Sequence, residues 1–155
     1  MKITHRFNGS TLFEAEAESL PLLLKLAIEA KADLSGANLS YANLRDANLR
    51  GADLSGANLE GVPVVENLDS KILKAIEAGG ELNMDEWHSC ATTHCRAGWA
   101  ITLAGEDGKK LEARLGPSAA GALIYAKSTG RVPSFFSTNE EALIDIRECA
   151  AKEAK

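Results

Sequence analysis

A five-residue period runs through residues 32–61 and constrains the fold more than any other feature of the chain. Six consecutive units begin with Ala and carry Leu at the third position, namely ADLSG, ANLSY, ANLRD, ANLRG, ADLSG and ANLEG. A period of five matches neither the 3.6-residue turn of an α-helix nor the two-residue alternation of a flat strand. It suits a chain that turns a corner every five residues, with Ala and Leu inside and the polar residues outside. The segment therefore predicts a solenoid with a narrow apolar interior.

The pattern A(D/N)LXX resembles the repeat of the pentapeptide-repeat family. The resemblance implies a short right-handed, quadrilateral β-helix with one repeat on each side. Six sides make about one and a half coils, and at roughly 4.8 Å between stacked strands the β-helix is only about 10 Å tall. Leu34 is expected to stack on Leu54, and Leu39 on Leu59.

A solenoid this short exposes both ends and needs caps. We expect the N-terminal cap to be a hairpin of residues 3–7 and 11–15, because the turn between them contains Asn8 and Gly9. A helix capped by Ser19 should follow, with a proline in its first turn, where the missing N–H costs nothing.

Beyond the repeat, Val62 and Val64 are expected to keep the inward register for one more side, until Asn67 breaks it. The rest of the chain is predicted to form helices separated by glycines, starting near Asp69 or Ser70, near Thr92 or Thr93, at Asp107, at Pro117 and, with a capping box, at Thr138. The predicted fold class is α+β, in one compact unit with three parts: a capping hairpin and helix (1–31), the β-helix (32–66) and a helical region (67–155).

The densest cluster of chemically versatile side chains comprises two histidines and two cysteines: His88, Cys90, His94 and Cys95. These residue types bind zinc, but the adjacent His94 and Cys95 cannot easily face one tetrahedral ion, so no cofactor is expected. Alternatively, Cys95 lies near a predicted helix N-terminus, where the helix dipole lowers a thiol pKa, and His88 or His94 could serve as its base. No third group that would orient the base is evident. Buried cysteines at a loop-to-helix junction are the simpler interpretation.

Charge and composition restrict the partners. The formal net charge of −5 argues against direct binding of nucleic acid or of an anionic membrane. The start of the chain lacks the pattern of a signal peptide, and no apolar stretch is long enough to span a bilayer. Three cysteines do not form an even disulfide framework. A cytoplasmic protein with reduced thiols is therefore expected.

Two further stretches resemble segments of small pentapeptide-repeat proteins of bacterial viruses and prophages. They are R-F-N-G-S-T-L-F-E-A, from Arg6 to Ala15, and the H-C-R-A-G-W core, from His94 to Trp99, of the stretch 87–115. The resemblance implies a bacterial host cytoplasm and supplies no catalytic residues.

These features favour a non-enzymatic protein-interaction module, an accessory protein that binds and modulates a bacterial host protein such as a defence or replication component. A homodimer is a linked expectation, because exposed strand edges tend to pair. The expected binding face consists of positions that vary on a constant scaffold: Ser40, Arg45, Arg50 and Glu60.

Two alternatives remain open. One is an enzyme or metal site at the histidine and cysteine cluster. The other is a DNA mimic that inhibits a topoisomerase, as long acidic members of the family do with gyrase. Two arginines against four acidic residues give the repeat a net charge of only −2. A duplex mimic needs charge extended over tens of ångströms, so this alternative is disfavoured.

Overall fold

The structure is a computed structural model that describes residues 1–34, 36–39, 59–86 and 91–155. In these residues the chain forms a mixed α/β arrangement of six helices and four short strands, which pair as two separate two-stranded sheets. Several predicted positions lie outside the described residues: Ser40, Arg45, Arg50, Leu54, His88 and Cys90.

The predicted N-terminal hairpin is confirmed, although its turn is longer than expected. Strand β1 (Lys2–Thr4) pairs antiparallel with β2 (Thr11–Glu14), and the turn spans residues 5–10. The prediction that the first strand continues to residue 7 is wrong. A bulge interrupts the pairing after Ile3, and His5 forms a bridge with Ala37 instead.

The hairpin also pairs with the first repeats, as expected of a cap. The Arg6 N–H donates to the Gly36 carbonyl at 2.8 Å, and the Asn38 N–H donates to the Thr4 carbonyl at 2.8 Å. Gly36 has a φ of +73°, a conformation that favours glycine. A Cβ on Gly36 would also collide with the His5 ring, so glycine is the residue that fits there. Strand β1 thus lies between β2 and the repeat.

Ser19 caps helix α1 (Leu20–Glu29), as predicted, and its hydroxyl accepts a hydrogen bond from the Leu22 N–H at 3.4 Å. Its buried face packs into the core through Leu23, Leu24 and Ala27.

At both described ends of the repeat, the inside and outside positions are as predicted. The alanine and leucine positions Leu34, Ala37, Leu39 and Leu59 are buried, whereas Asp33, Asn38 and Glu60 are exposed. The prediction that Val64 points inward is wrong, because its side chain is 54% exposed. The Ser128 hydroxyl accepts a hydrogen bond from the Val65 N–H at 2.9 Å, and Val65 is the residue that enters the core.

The remaining chain is helical, as expected, with one short parallel strand pair, β3 (Glu81–Leu82) and β4 (Thr93–His94). Helix α2 packs against α6, and α5 packs against α3 and α4. The helices are α2 (Leu68–Glu77), α3 (Arg96–Leu103), α4 (Gly105–Leu115), α5 (Pro117–Thr129) and α6 (Asn139–Glu153).

Some predicted helix starts are confirmed and others are wrong. The capping box at Thr138 is present, and α5 starts at Pro117. Helix α2 starts one residue before the predicted range, with Asn67 as its N-cap in the left-handed region. The predicted cap at Thr92 or Thr93 is wrong, because β4 contains Thr93 and the N-cap of α3 is Cys95.

The helices in the described part of the chain are all too short or too polar to cross a membrane.

Candidate functional site

Only one residue of the predicted binding face lies in the described part of the chain. Glu60 is exposed next to the buried Leu59, at the exit of the repeat. The Lys127 ammonium of α5 donates to the Leu59 carbonyl at 3.4 Å, which joins this exit to the helical region. The other three positions of the face stay predictions.

His94 is a packed residue at the end of β4. Its side chain is 4% exposed, and its ring meets the Trp99 ring edge to face, with the centroids 4.7 Å apart. Its Nε2 lies 3.1 Å from the Ala91 carbonyl oxygen. The indole N–H of Trp99 donates to the Glu81 carbonyl at 3.1 Å, so Trp99 ties β3 to α3.

Cys95 caps α3, and its environment disfavours the thiolate on which the enzyme alternative depends. The Sγ accepts a hydrogen bond from the Gly98 N–H at 3.3 Å, an arrangement that favours the thiolate. Burial nevertheless raises the pKa of the Cys95 thiol above its usual value, because the charged form would lose its hydration. The lowered pKa that the enzyme alternative requires is therefore not found, and Cys95 is a small buried cap, in line with the simpler interpretation.

The described residues contain no group of three or more His, Cys, Asp or Glu side chains that could hold a metal ion. A metal or catalytic role for the whole cluster stays a hypothesis, because His88 and Cys90 lie outside the described part of the chain.

The most distinctive polar arrangement is one that the sequence did not predict, and its centre is Arg96. This arginine is 1% exposed at the first position of α3. Its Nε donates to the Tyr125 hydroxyl at 2.8 Å, its Nη2 donates to Asp69 Oδ1 at 2.7 Å, and its Nη1 donates to Asp145 Oδ2. All three guanidinium nitrogens therefore have an acceptor.

A second arginine completes the cluster. Arg131 donates from Nη1 to Asp145 Oδ2 at 3.1 Å and from Nη2 to Asp69 Oδ2 at 3.0 Å. The Tyr125 hydroxyl donates to Asp69 Oδ1 at 3.0 Å, and burial raises the pKa of this tyrosine. We call the five residues Asp69, Arg96, Tyr125, Arg131 and Asp145 the charged cluster. Two guanidinium groups balance two carboxylates, so the cluster is neutral as a whole.

The charged cluster joins elements that are far apart in sequence. Asp69 comes from α2, Arg96 from α3, Tyr125 from α5, Asp145 from α6 and Arg131 from the loop after α5. Beside it, the Glu153 carboxylate accepts hydrogen bonds from the backbone N–H groups of Asp69 and Ser70 in the first turn of α2, at 3.2 and 2.8 Å. Because these donors and acceptors satisfy one another, the cluster serves to hold the helices together.

The loop between α5 and α6 bounds two clefts. One has a volume of about 310 Å³ and is lined by Arg131, Ser134, Glu141 and Asp145, with the edge of the charged cluster as its floor. The other, of about 300 Å³, lies beside Phe136, Met84 and Cys95. In the first cleft the two arginine side chains already bind carboxylates of the chain itself.

Comparison with known proteins gives a match to the repeat segment. A family model described as "Pentapeptide repeats (8 copies)" matches residues 30–62. The matched segment contains the six units and amounts to 33 of the 155 residues. Comparison with curated proteins and with solved structures gives no match. The family match and the alternation of buried and exposed residues at both described ends agree, and residues 30–62 are a segment of pentapeptide repeats.

Proposed function

We propose that this protein is a non-enzymatic protein-interaction module whose repeat segment folds as a short right-handed β-helix and presents a binding face to another protein. The observation that carries the proposal is the repeat itself, since the family is generally non-catalytic and of the protein-interaction type. The burial of Leu34, Ala37, Leu39 and Leu59 supports the β-helix, because alanine and leucine fill its interior.

The way the repeat is attached supports a rigid presentation of its side chains. At the entrance, backbone hydrogen bonds join residues 36–38 to the hairpin. At the exit, Leu59 and Val65 bond to Lys127 and Ser128 of α5. Both ends are thus fixed to the rest of the chain, and a fixed face loses little entropy when a partner binds.

The binding face comprises outward positions whose residue type changes from one repeat to the next: Ser40, Arg45, Arg50 and Glu60. The resemblance of residues 6–15 and 94–99 to phage and prophage proteins motivates the setting. In this proposal the protein is an accessory protein in the cytoplasm of a bacterial host and binds a host protein of defence or replication.

The test is a tagged pull-down from bacterial lysate, with the captured proteins identified by mass spectrometry. The informative variant reverses both arginines of the face, Arg45→Glu with Arg50→Glu. The matched control, Arg114→Glu with Arg147→Glu, makes the same change of net charge at exposed positions of α4 and α6. One stoichiometric partner that is lost in the first variant and kept in the control supports the proposal.

Two results would contradict it. Equal capture by the variant and the control would exclude the arginine face, and the absence of any saturable partner would exclude the proposed activity. Light scattering on the same samples tests the homodimer, because a monomeric mass at the concentrations of the pull-down excludes it.

A further inference from the structure

The outer strand of the N-terminal hairpin presents an unpaired edge. Residues 36–38 occupy one edge of β1 and β2 occupies the other, so β2 is the outermost of the three segments. The Ala15 N–H and carbonyl both bond to Met1, at 3.1 and 2.8 Å, which continues the pairing past the end of β2. In an antiparallel pair, every second residue turns its backbone groups away from the partner strand. The backbone groups of Glu14 and Glu16 therefore face outward.

Among the strands of the described residues, β2 pairs with β1 alone. The Glu16 N–H has no hydrogen-bond partner in the described part of the chain. Edge strands with free N–H and C=O groups are templates for a further strand, and pairing of this kind is a common mode of peptide recognition. The segment 11–18 is called the hairpin edge below.

The side chains along the hairpin edge alternate strictly after Phe13. Glu14, Glu16 and Glu18 are exposed, while Ala15 and Ala17 between them are partly buried against the core. Extended backbone puts Glu14 and Glu16 about 7 Å apart on one face, and Glu18 follows at the bend that leads into α1. None of the three has an ion-pair partner among the described residues.

The negative charge of the glutamates restricts which kind of strand can pair with this edge. A second copy that added its own β2 in antiparallel fashion would place glutamates against glutamates, and like charges directly opposite destabilise a strand pair. On the inner side, by contrast, Lys2 of β1 lies directly opposite Glu14. A basic strand on the outer side would repeat that arrangement.

We propose that the hairpin edge is a second binding site, which takes an extended segment of a partner protein with Lys or Arg at alternate positions. Backbone hydrogen bonds to the outward groups of Glu14 and Glu16 would supply the pairing. The three carboxylates would select the basic side chains. The inference rests on the proposed function in that it takes protein binding as the activity, but it assigns a different surface.

The direct test measures fluorescence anisotropy of labelled peptides with the full chain. The probe is Thr-Lys-Val-Lys-Val-Lys-Thr, and the controls are its glutamate counterpart and a lysine peptide that is N-methylated at alternate residues. We expect saturable one-to-one binding of the first peptide only, weakening as salt screens the charges. The methylated peptide keeps every charge but lacks the donors on one edge, so its equal binding would overturn strand pairing.

Two variants at one position separate the backbone from the charge. Glu16→Pro removes an outward N–H at an edge position that tolerates proline, and about tenfold weaker binding is expected. Glu16→Gln removes the charge alone and should cost about threefold or less. Equal binding by the proline variant, or no binding of the lysine peptide to the unaltered chain, would refute the proposal. If the proline variant unfolds, the methylated peptide still decides the matter.

The peptide experiments and the pull-down can fail independently of each other. If the pull-down partner depends on Arg45 and Arg50 while the lysine peptide does not bind, the interaction module stands and the hairpin edge does not. If the peptide binds and Glu16→Pro abolishes its binding, the edge is established whatever the pull-down captures.

Discussion

Replacing Arg96 by methionine tests whether the charged cluster stabilises the fold. Methionine fills much of the same space, so the change removes the charge and three hydrogen-bond donors while leaving only a small cavity. Asp69 remains buried, with its side chain 1% exposed, and of its side-chain partners in the described residues it keeps Arg131 and Tyr125. The main cost is therefore a buried carboxylate that loses its closest positive charge.

The expected magnitude follows from this burial. Removing one partner of a buried ion pair costs about 3–5 kcal/mol, against a total stability of about 5–15 kcal/mol for a domain. In a chain of 155 residues, 1 kcal/mol corresponds to roughly 2–4 °C in melting temperature. We therefore expect Arg96→Met to lower the free energy of unfolding by about 3–5 kcal/mol and the melting temperature by roughly 6–20 °C.

The assay is urea unfolding followed by far-UV circular dichroism, with two matched variants. Arg131→Met removes an arginine that contacts the same two carboxylates but is 34% exposed, and water can replace it, so a loss of about 1 kcal/mol is expected. Arg114→Met alters an exposed arginine of α4 and should change stability by less than about 0.5 kcal/mol.

A loss below about 1 kcal/mol for Arg96→Met would refute this reasoning. A second test distinguishes charge from packing. Asp69→Asn combined with Arg96→Met removes both opposing charges, so the double variant should be more stable than the sum of the single losses predicts. Strict additivity would mean that the losses come from packing alone.

Three further predictions concern single sites. Burial alone would raise the pKa of Asp145, but Arg96 and Arg131 outweigh it and hold this pKa below its usual value. The resulting stability is complete above the unfolded pKa of about 4 and is lost as the pH falls through the lower folded value, so Asp145→Asn should flatten the decline of the urea midpoint below about pH 4. Gly121→Ala puts a Cβ 2.5 Å from that of Ala97 and should cost about 1–3 kcal/mol in urea unfolding, and adding Ala97→Gly should restore only part of it, because the backbone Cα of residue 97 still lies 2.8 Å from the new Cβ. Cys95 should stay unlabelled by iodoacetamide at neutral pH until the chain is unfolded, as peptide mapping would show, and rapid native labelling would contradict its burial.

The features that could be predicted from the sequence are those with a local cause. The Asn-Gly turn, the Ser19 cap, the Pro117 start and the capping box at Thr138 each depend on residues within a few positions of one another. The inward alanines and leucines could be predicted too, because the five-residue period repeats the same local choice. The orientation of Val64 could not be predicted in the same way, because it depends on a distant group. The Ser128 hydroxyl bonds to the backbone N–H of Val65, the residue after Val64.

The charged cluster could not be predicted for the opposite reason. Its members are separated by 14 to 62 residues where they pair with each other, and no periodic pattern connects them. Charged residues are usually exposed, so sequence patterns place an arginine on a surface. The one local signal was the apolar setting of Arg96, between Cys95 and Ala97 at the start of a helix.

Helix α5 connects the charged cluster to the exit of the repeat. Tyr125 belongs to the cluster, and Lys127 and Ser128, less than one turn further along, hold the segment at Leu59 and Val65. A variant that disrupts the cluster should therefore weaken both stability and any binding by the repeat, since the exit would lose its fixed support. A variant of the binding face or of the hairpin edge should reduce binding while the melting temperature stays unchanged. Measuring both partner binding and melting temperature for each variant thus separates residues that contact a partner from residues that support the contacting surface.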